Sequence, residues 1–287
     1  MPITTTIRFH AVKTARRLLC ALAPIALILC ASPAIDAGAA TLSVPGTYKT
    51  IHEAVEAAAP SDTIAVGPGA YKENIVIKKS LALIATAGPA STTVMAATPS
   101  EPVIKAVDAS GVTITGFTVT GSGVSGISII NVKDSAVTLN TAVKNSSGIV
   151  VVRSSNSVIS DNAANNNENY GISIDASSNN KVERNAANSN DDKGFFINAS
   201  NNNVIAGNSA NMNTWNGMTI YSSNNNVIKD NMTLRNTFGL VISDSKDNEE
   251  SDNTTVPNIF IIFPILLIYI GIISYLVQKN ILKHVYK

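Results

Sequence analysis

The sequence between residues 126 and 253 repeats every 22 or 23 residues, and this period constrains the fold more than any other feature. The run "ASNNNVIAGN" at 199–208 returns as "SSNNNVIKDN" at 222–231. A constant period of this length is typical of a solenoid, in which each repeat forms one coil that stacks on the previous coil. The residues that keep the period are Gly126, Gly148, Gly171, Gly194, Gly217 and Gly239, then Asn140, Asn162, Asn185, Asn208, Asn231 and Asn253, and a second asparagine set at Asn156, Asn179, Asn202 and Asn225.

Within each repeat the apolar residues alternate, as in a β-strand with one buried face. Ile172 and Ile174 follow one glycine, and Phe195 and Ile197 follow the next. A second short strand is marked in successive repeats by Ile159, Val182, Ile205 and Ile228. Short strands joined by Asn, Ser and Gly turns predict an all-β parallel β-helix at 63–253, with roughly eight or nine coils.

The recurring asparagines have a structural explanation in such a fold. Asparagine adopts the left-handed turn conformation and bonds local backbone groups, and identical side chains on stacked coils can bond one another. We therefore predict an inward structural ladder of Asn162, Asn185, Asn208 and Asn231. The asparagine content is also typical of a disordered low-complexity tract, but disorder does not require apolar residues in register with the glycines.

Residues 40–62 are predicted to form an N-terminal strand and a helix that caps the first coil. Thr50 and Glu53 have the spacing of a capping box, and Pro60 ends the helix. A solenoid needs such a cap because a bare end exposes the core and unpaired strand edges.

The N-terminus, residues 1–39, has the pattern of a secretory signal peptide. Basic residues precede the short apolar core at 18–31, and an A-x-A site follows at 37–39. An uncleaved anchor is the alternative. Both cysteines, Cys20 and Cys30, fall in this segment, so the mature chain is expected to contain no disulfide.

The C-terminus is predicted to anchor the protein in a membrane. After a linker at 254–258, residues 259–277 carry no charge, which is long enough to span a bilayer. A cytoplasmic tail is predicted at 278–287, where Lys279, Lys283 and Lys287 fit the positive-inside rule. A buried core helix is the alternative for the apolar segment.

Two stretches carry a family resemblance. The segment "YKTIHEAVEAAAPSDTIAVGPGAYKENIVIKKSLALIA" (48–85) resembles the opening of right-handed parallel β-helix proteins of the pectin-lyase-like class, and "NYGISIDASSNNKVERNAANSN" (169–190) resembles β-helix repeats of the NosD type. The resemblance covers about residues 44–253 and implies a single-stranded right-handed parallel β-helix. For function it implies several classes: polysaccharide lyases, epimerases, esterases, glycosidases, a copper-site maturation factor, and surface proteins without activity.

Charged residues give little sign of a catalytic site, and no catalytic residue is predicted. Asp161 and Arg184 lie 23 residues apart and are expected to form an exposed ion pair between coils. His52 stands alone, and the methionines have no companion histidines, so no metal or cofactor is predicted. A formal charge of +1 argues against a nucleic-acid partner. If the chain is an enzyme, Asp175 and Arg184 are the residues whose loss should abolish turnover.

Aromatic residues are the main candidates for ligand binding. Tyr170, Trp215, Tyr221 and Phe238 lie beside strand ends on neighbouring coils, where exposed rings can stack on sugars; packing over turns is the alternative. Candidate glycosylation sites are Asn145, Asn198 and Asn253, while Asn231 is expected to be inward in the ladder. The sequence therefore predicts a membrane-anchored, non-enzymatic cell-surface module that binds polysaccharide or another envelope component. The alternatives are a polysaccharide-modifying enzyme and a NosD-like assembly or metal-delivery factor.

Overall fold

A computed structural model describes residues 38–279, except the side chains of 261, 262 and 265. The predicted signal peptide lies outside the described residues, apart from its last two positions. Most of the predicted cytoplasmic tail also lies outside them.

The described chain contains a short helix, twenty-five strands and a long C-terminal helix. The helices are α1 (Ile51–Ala57) and α2 (Ile259–Gln278). The strands are β1 (Thr41–Val44), β2 (Asp62–Val66), β3 (Gly69–Lys72), β4 (Ile75–Ile77), β5 (Leu81–Ala85), β6 (Thr92–Met95), β7 (Ile104–Val107), β8 (Thr113–Thr115), β9 (Thr118–Thr120), β10 (Ser125–Ile130), β11 (Ala136–Thr138), β12 (Thr141–Val143), β13 (Ser147–Val152), β14 (Val158–Ser160), β15 (Ala163–Asn165), β16 (Ile172–Asp175), β17 (Lys181–Glu183), β18 (Phe195–Asn198), β19 (Val204–Ala206), β20 (Asn216–Tyr221), β21 (Val227–Lys229), β22 (Met232–Asn236), β23 (Phe238–Ser243), β24 (Glu249–Ser251) and β25 (Thr254–Pro257).

The strands form three parallel sheets that run the length of a right-handed β-helix, as predicted. Sheet 1 has the order β1-β2-β5-β8-β11-β14-β17-β19-β21-β24, and sheet 3 has the order β23-β20-β18-β16-β13-β10-β7-β4. Sheet 2 comprises β3, β6, β9, β12 and β15, and single bridges through Ala186 and Ser209 continue it to β22 and β25. The ten strands of sheet 1 correspond to about nine turns of the solenoid.

The alternating apolar residues build a continuous core inside the coils. In sheet 1, Ile159, Val182, Ile205 and Ile228 are paired in register and fully buried. Each such side chain contributes roughly 1.5–3 kcal/mol on burial. The period of the sequence therefore sets the register of the strands directly.

The coil corners explain the polar half of the repeat. In one coil, Asn179, Arg184 and Ser189 have positive φ values of 59°, 53° and 57°. Each is followed by a buried asparagine at 180, 185 or 190. The left-handed residue makes the turn, which Asn and Asp tolerate better than most residues, and the next asparagine bonds to the neighbouring coils.

The asparagines of the predicted ladder lie above one another, each at most 2% exposed. Nδ2 of Asn162, Asn185 and Asn208 donates to Oδ1 of the ladder residue on the next coil at 3.0–3.1 Å. Two further ladders run from Asn145 to Asn236 and from Asn180 to Asn248. The second asparagine set, Asn156, Asn179, Asn202 and Asn225, lies at exposed corner positions with positive φ values. Each of these residues directly precedes a buried polar residue of the same corner.

Helix α1 closes the first coil as predicted. Thr50 and Glu53 form the capping box, and Ile51, Ala54 and Val55 are buried. The carboxylate of Glu73 also accepts from the backbone N–H groups of Ile51 and His52 at 3.1 and 2.8 Å. These bonds join the cap to the solenoid.

The C-terminal end differs from the prediction in two respects. The segment predicted as a linker at 254–258 is mostly strand β25, which pairs with β22 and extends the solenoid. Its Thr-Thr-Val sequence is rich in β-branched residues, which favour strands. The predicted transmembrane segment forms helix α2, but no helix in residues 38–279 reaches the length and hydropathy of a membrane span.

Candidate ligand-binding site

Four aromatic residues, Tyr170, Phe196, Trp215 and Phe238, lie at or near the start of sheet 3 strands on successive coils. The stacking of the coils brings these distant residues together. Backbone N–H of Trp215 donates to O of Asp192 at 2.9 Å, and N–H of Phe238 donates to O of Trp215 at 3.0 Å. The four rings therefore come from neighbouring coils whose spacing is fixed by backbone hydrogen bonds.

A lysine joins two of the rings. The ring centroids of Tyr170 and Phe196 lie 5.2 Å apart, with an interplanar angle of 33°. Nζ of Lys193 lies 5.3 Å from the Tyr170 centroid and 5.6 Å from the Phe196 centroid. The same ammonium group donates to both carboxylate oxygens of Asp192 at 2.8 and 3.0 Å. A partly buried cation is thus held by two ring faces and one carboxylate.

The other two rings border an open cavity of about 620 Å³. Trp215 is 56% exposed and Phe238 is 53% exposed, although both are large apolar side chains. The cavity is lined by Asp192, Lys193, Trp215, Asn216, Phe238 and Val241. A concave surface with aromatic walls and a few polar groups has the composition of a small-ligand site.

Three of the four predicted aromatic residues meet here, and the fourth does not. Tyr170 contacts the cavity residue Lys193, and Trp215 and Phe238 line the cavity directly. Tyr221 lies at the opposite end of β20, paired with Asn198 and 42% exposed. Tyr221 is also an aromatic residue, like the other three, but it lies on another part of the surface.

Asp192, Lys193 and Phe196 were missed by the sequence analysis. Phe196 pairs with Ser173 and Thr219 in the row of sheet 3 that alternates with the buried row. An aromatic residue between Ser173 and Thr219 in this row is a signal that the sequence does contain. The sequence contains no comparable signal for Lys193, because what Lys193 contributes to the site depends on the two rings beside it.

The charged residues considered for catalysis do not come together. Arg184 makes a two-pronged ion pair with Asp161, Nε to Oδ1 and Nη2 to Oδ2, both at 2.8 Å. This is the predicted pair between coils, and the hydrogen bonds from Arg184 lower the pKa of Asp161 below its ordinary value. Asp175 lies instead at the end of β16 and accepts a hydrogen bond from Asn198 Nδ2. Asp175 and Arg184 therefore occupy separate surfaces.

The candidate glycosylation sites differ in accessibility. Asn145 is 1% exposed, and its Nδ2 donates to the carbonyl oxygens of Val119 and Val143 at 3.1 and 3.2 Å. Because the reaction needs an accessible amide nitrogen, this geometry does not fit a glycosylated Asn145. Asn198 and Asn253 are partly exposed, but their Nδ2 atoms are also bonded, to Asp175 and to the Ile228 carbonyl.

Metal-ligating side chains are dispersed in the part of the chain that the structure describes. Within residues 38–279 no group of three or more His, Cys, Asp or Glu side chains is placed to hold an ion. His52 is on α1, Met95 is on β6, Met218 is fully buried in β20 and Met232 is on β22. Met212 lies on the surface near the C-terminal end of the solenoid.

Comparison with known proteins gives a family and a fold. The model of the family described as "Periplasmic copper-binding protein (NosD)" matches residues 55–215, which is 161 of the 287 residues. The search of curated proteins finds no match. The family match covers the end of α1 and the solenoid as far as Trp215, and it leaves out Asn216, Phe238 and Val241 of the cavity.

The solved structures that the chain resembles include a glucanase, a pectate lyase and an alginate epimerase. The catalytic domain of a GH87 α-1,3-glucanase has a TM-score of 0.58 at 15% identity, covering 70% of this chain and 44% of the glucanase chain. The pectate lyase Pel9A has a TM-score of 0.53 at 14% identity, covering 72% of this chain and 78% of the lyase. The periplasmic alginate epimerase AlgG has a TM-score of 0.45 at 17% identity, and the chain spans 58% of its length. At these identities the likeness establishes the pectin-lyase-like β-helix fold alone.

Proposed function

The chain belongs to the NosD family, and from that premise we propose that it is a cell-envelope module that binds polysaccharide in the cavity beside Trp215 and Phe238. The observation that carries this proposal is the exposure of two large aromatic side chains on a wall of one cavity. Exposed aromatic surface that borders a cavity marks a binding site more often than a packing defect.

The chemistry of the cavity suits a ligand with both apolar faces and hydroxyl groups. The Trp215 and Phe238 rings offer flat apolar surfaces for the C–H faces of a sugar. Asp192 and Lys193 supply an acceptor and a donor, and Asn216 adds an amide whose Nδ2 already donates to Thr219 Oγ1 at 2.8 Å. A polysaccharide presents both kinds of surface in each residue.

The scaffold makes the site rigid before any ligand arrives. Asn190, Asn213 and Asn236, which precede the site residues in three successive coils, are buried and bonded to one another through Nδ2–Oδ1 contacts of 3.0 and 3.1 Å. A preformed site loses less conformational entropy on binding than a flexible one. Weak contacts with individual sugars can then sum to useful affinity.

The location in the cell envelope is part of the proposal. The signal-peptide pattern predicted at 1–39 supports export, and the family description names a periplasmic protein. Attachment to a membrane through 259–277 remains a prediction, and extraction of cell membranes at alkaline pH tests it. An anchored chain stays in the pellet and a peripheral one enters the supernatant.

Copper does not fit the residues that the structure describes. Copper sites use clustered thioether, imidazole or thiolate ligands. Here His52 lies on the N-terminal cap, Met212 and Met232 lie near the opposite end, and Met218 is inside the core. We therefore assign no metal-dependent step to residues 38–279.

A glycan array probed with the purified full chain tests the proposal. We expect binding to a restricted set of polysaccharides, lost in Trp215→Ala and retained in Tyr221→Ala, which removes a similarly exposed ring from the other end of β20. Mass spectrometry of the bound glycans separates binding from catalysis: unchanged chain lengths support the module, and shortened or epimerised products support the enzyme alternative. Binding that is equal in both variants would refute the assignment of this cavity.

A further inference from the structure

The last coil of the solenoid, formed by β23, β24 and β25 and named here the terminal coil, has strand edges with no neighbour among residues 38–279. Strands β23 and β24 are the final members of sheets 3 and 1, and β25 pairs only with β22. At the other end of the molecule, α1 covers the first coil. The two ends of the solenoid therefore differ, because α1 packs on the first coil.

The ladders also stop at the terminal coil. Backbone N–H groups of Ser223, Asn226 and Asn231 donate to Oγ of Ser245, Oδ1 of Asn248 and Oδ1 of Asn253, at 2.9, 2.8 and 3.0 Å. In the described chain, no further coil offers the corresponding acceptors to Ser245, Asn248 and Asn253. An edge with unpaired N–H and C=O groups is a template for one more strand.

The inner side chains at the open end of the terminal coil are not uniformly apolar. Glu250 occupies the inner position that Ile228 fills in the preceding coil, and it is exposed. The inner residues Leu240 and Ile242 are only half-buried. The apolar core therefore continues to the open end in sheet 3 and ends in a carboxylate in sheet 1.

The charge at this end is strongly one-sided. Between residues 244 and 252 a single lysine, Lys246, stands against five carboxylates. The carboxylates are Asp244, Asp247, Glu249, Glu250 and Asp252, and all five are exposed. A second copy docked edge to edge would bring like charges together, which is unfavourable. A partner with a positive charge would be attracted to the same edge.

We propose that the terminal coil receives an extended, lysine- or arginine-rich segment of a partner protein, which adds as a strand to the open edge. Backbone hydrogen bonds to β24 would supply affinity, as in other cases of strand addition. The five carboxylates would select a basic segment, and the half-buried Leu240 and Ile242 would cover its apolar residues. This inference does not depend on the polysaccharide site: the added strand pairs with β24 in sheet 1, whereas the cavity takes Phe238 and Val241 from β23 in sheet 3.

Fluorescence anisotropy with the purified full chain tests this inference. The probe is a labelled peptide of about six residues, the length of an ordinary strand, in which Lys and Val alternate. The control peptide has the same charge but carries two prolines, which cannot donate to a strand. We expect the first peptide to bind about tenfold more tightly than the proline peptide. Equal binding of the two would reduce the interaction to charge attraction and overturn the strand addition.

Matched variants locate the site on the chain. Asp247 and Asp134 occupy equivalent corner positions, with φ values of 54° and 51°, but Asp134 lies in the middle of the stack. We expect Asp247→Asn combined with Glu249→Gln and Glu250→Gln to weaken binding of the Lys–Val peptide, because the charge that attracts it is removed, and Asp134→Asn to leave that binding unchanged. Loss in Asp134→Asn, or a self-association at low salt that competes with the peptide, would overturn the proposal. Trp215→Ala should leave peptide binding intact, so failure here is distinguishable from failure of the polysaccharide site.

Discussion

The Oδ1 atom of Asn208 accepts two hydrogen bonds from Asn185, one from the backbone N–H at 2.9 Å and one from Nδ2 at 3.1 Å. The Nδ2 atom of Asn208 donates in turn to the carbonyl oxygen of Val182 at 2.8 Å. The buried Asn208 side chain therefore satisfies two donors of Asn185 and one acceptor, the Val182 carbonyl, all on the preceding coil. This relationship, repeated along the stack, allows a buried column of polar residues at the corner.

Replacing a ladder residue should destabilise the stack strongly. In Asn208→Ala the Asn185 donors and the Val182 carbonyl lose their partners in a buried setting, where each unsatisfied group costs about 1–3 kcal/mol. We expect a loss of about 3 kcal/mol or more in the free energy of unfolding, measured by urea denaturation followed by circular dichroism.

The control is Asn202→Asp, at an exposed corner position with φ of 56°. Aspartate tolerates this conformation and stands at the equivalent positions 134 and 247. A change of less than about 1 kcal/mol is expected. If Asn202→Asp lowered the free energy of unfolding as much as Asn208→Ala, the conformation of the corner, and not the ladder, would dominate stability.

The period-keeping glycines should not tolerate a side chain. A Cβ atom on Gly194 would lie 2.6 Å from the Gly217 carbonyl oxygen and 2.7 Å from that of Ala187. Both contacts are with backbone of the stack, which cannot move independently, so Gly194→Ala should lower stability by about 1–3 kcal/mol or more. Gly207, whose Cβ would meet nothing closer than 3.7 Å, is the contrasting position. Gly207→Asp places the residue found at 161 and 230 and should melt within a few degrees of the parent chain.

The ion pair between Asp161 and Arg184 should make a small, pH-dependent contribution. Arg184 lowers the folded-state pKa of Asp161 below its ordinary value of 3.8. The stabilisation is therefore present above pH 3.8 and is lost as the pH falls through the lower folded-state pKa. Because both side chains are substantially exposed, we expect the contribution to be small. The difference in unfolding free energy between the parent chain and Arg184→Gln should be measurable at pH 6 and should vanish at strongly acidic pH; a difference independent of pH would exclude the pair as its cause.

Lys193 should contribute to ligand affinity through its position between two rings. Lys193→Gln retains a polar side chain but removes the charge that Tyr170, Phe196 and Asp192 hold in place. We expect about a tenfold loss of affinity, equivalent to about 1.4 kcal/mol, for the glycan that binds best, measured by titration calorimetry. Lys181→Gln, at an exposed position on β17 in sheet 1, should have no effect on affinity. If both variants weaken binding equally, the effect is one of net charge.

The sequence predicted the fold well because the fold is encoded as a period. Ile159, Val182 and Ile205 fall in register once coils of 22 or 23 residues are stacked, and nothing more is needed to place them. The capping box at Thr50 and Glu53 is equally local. The end of the solenoid was less predictable, because β25 is short and exposed and is defined by its pairing with β22.

The site was predicted only in part because it depends on contacts across the outer surface. The period places Trp215 and Phe238 on neighbouring coils, but it does not show that Tyr221 faces a different region. It also gives no indication that Phe196 approaches Tyr170, or that Lys193 lies between them. Inward positions repeat from coil to coil, whereas outward positions vary freely and must be seen in three dimensions.

Trp215 is the only tryptophan of the chain, so its fluorescence tests the proposed binding site most directly. The full chain is titrated with the polysaccharides that bind on the array, and emission and iodide quenching are followed. The account predicts a saturable change in Trp215 emission and protection from iodide with the same midpoint as binding. Polysaccharide binding with unchanged emission and unchanged quenching would contradict it, because the ligand would then occupy a different surface.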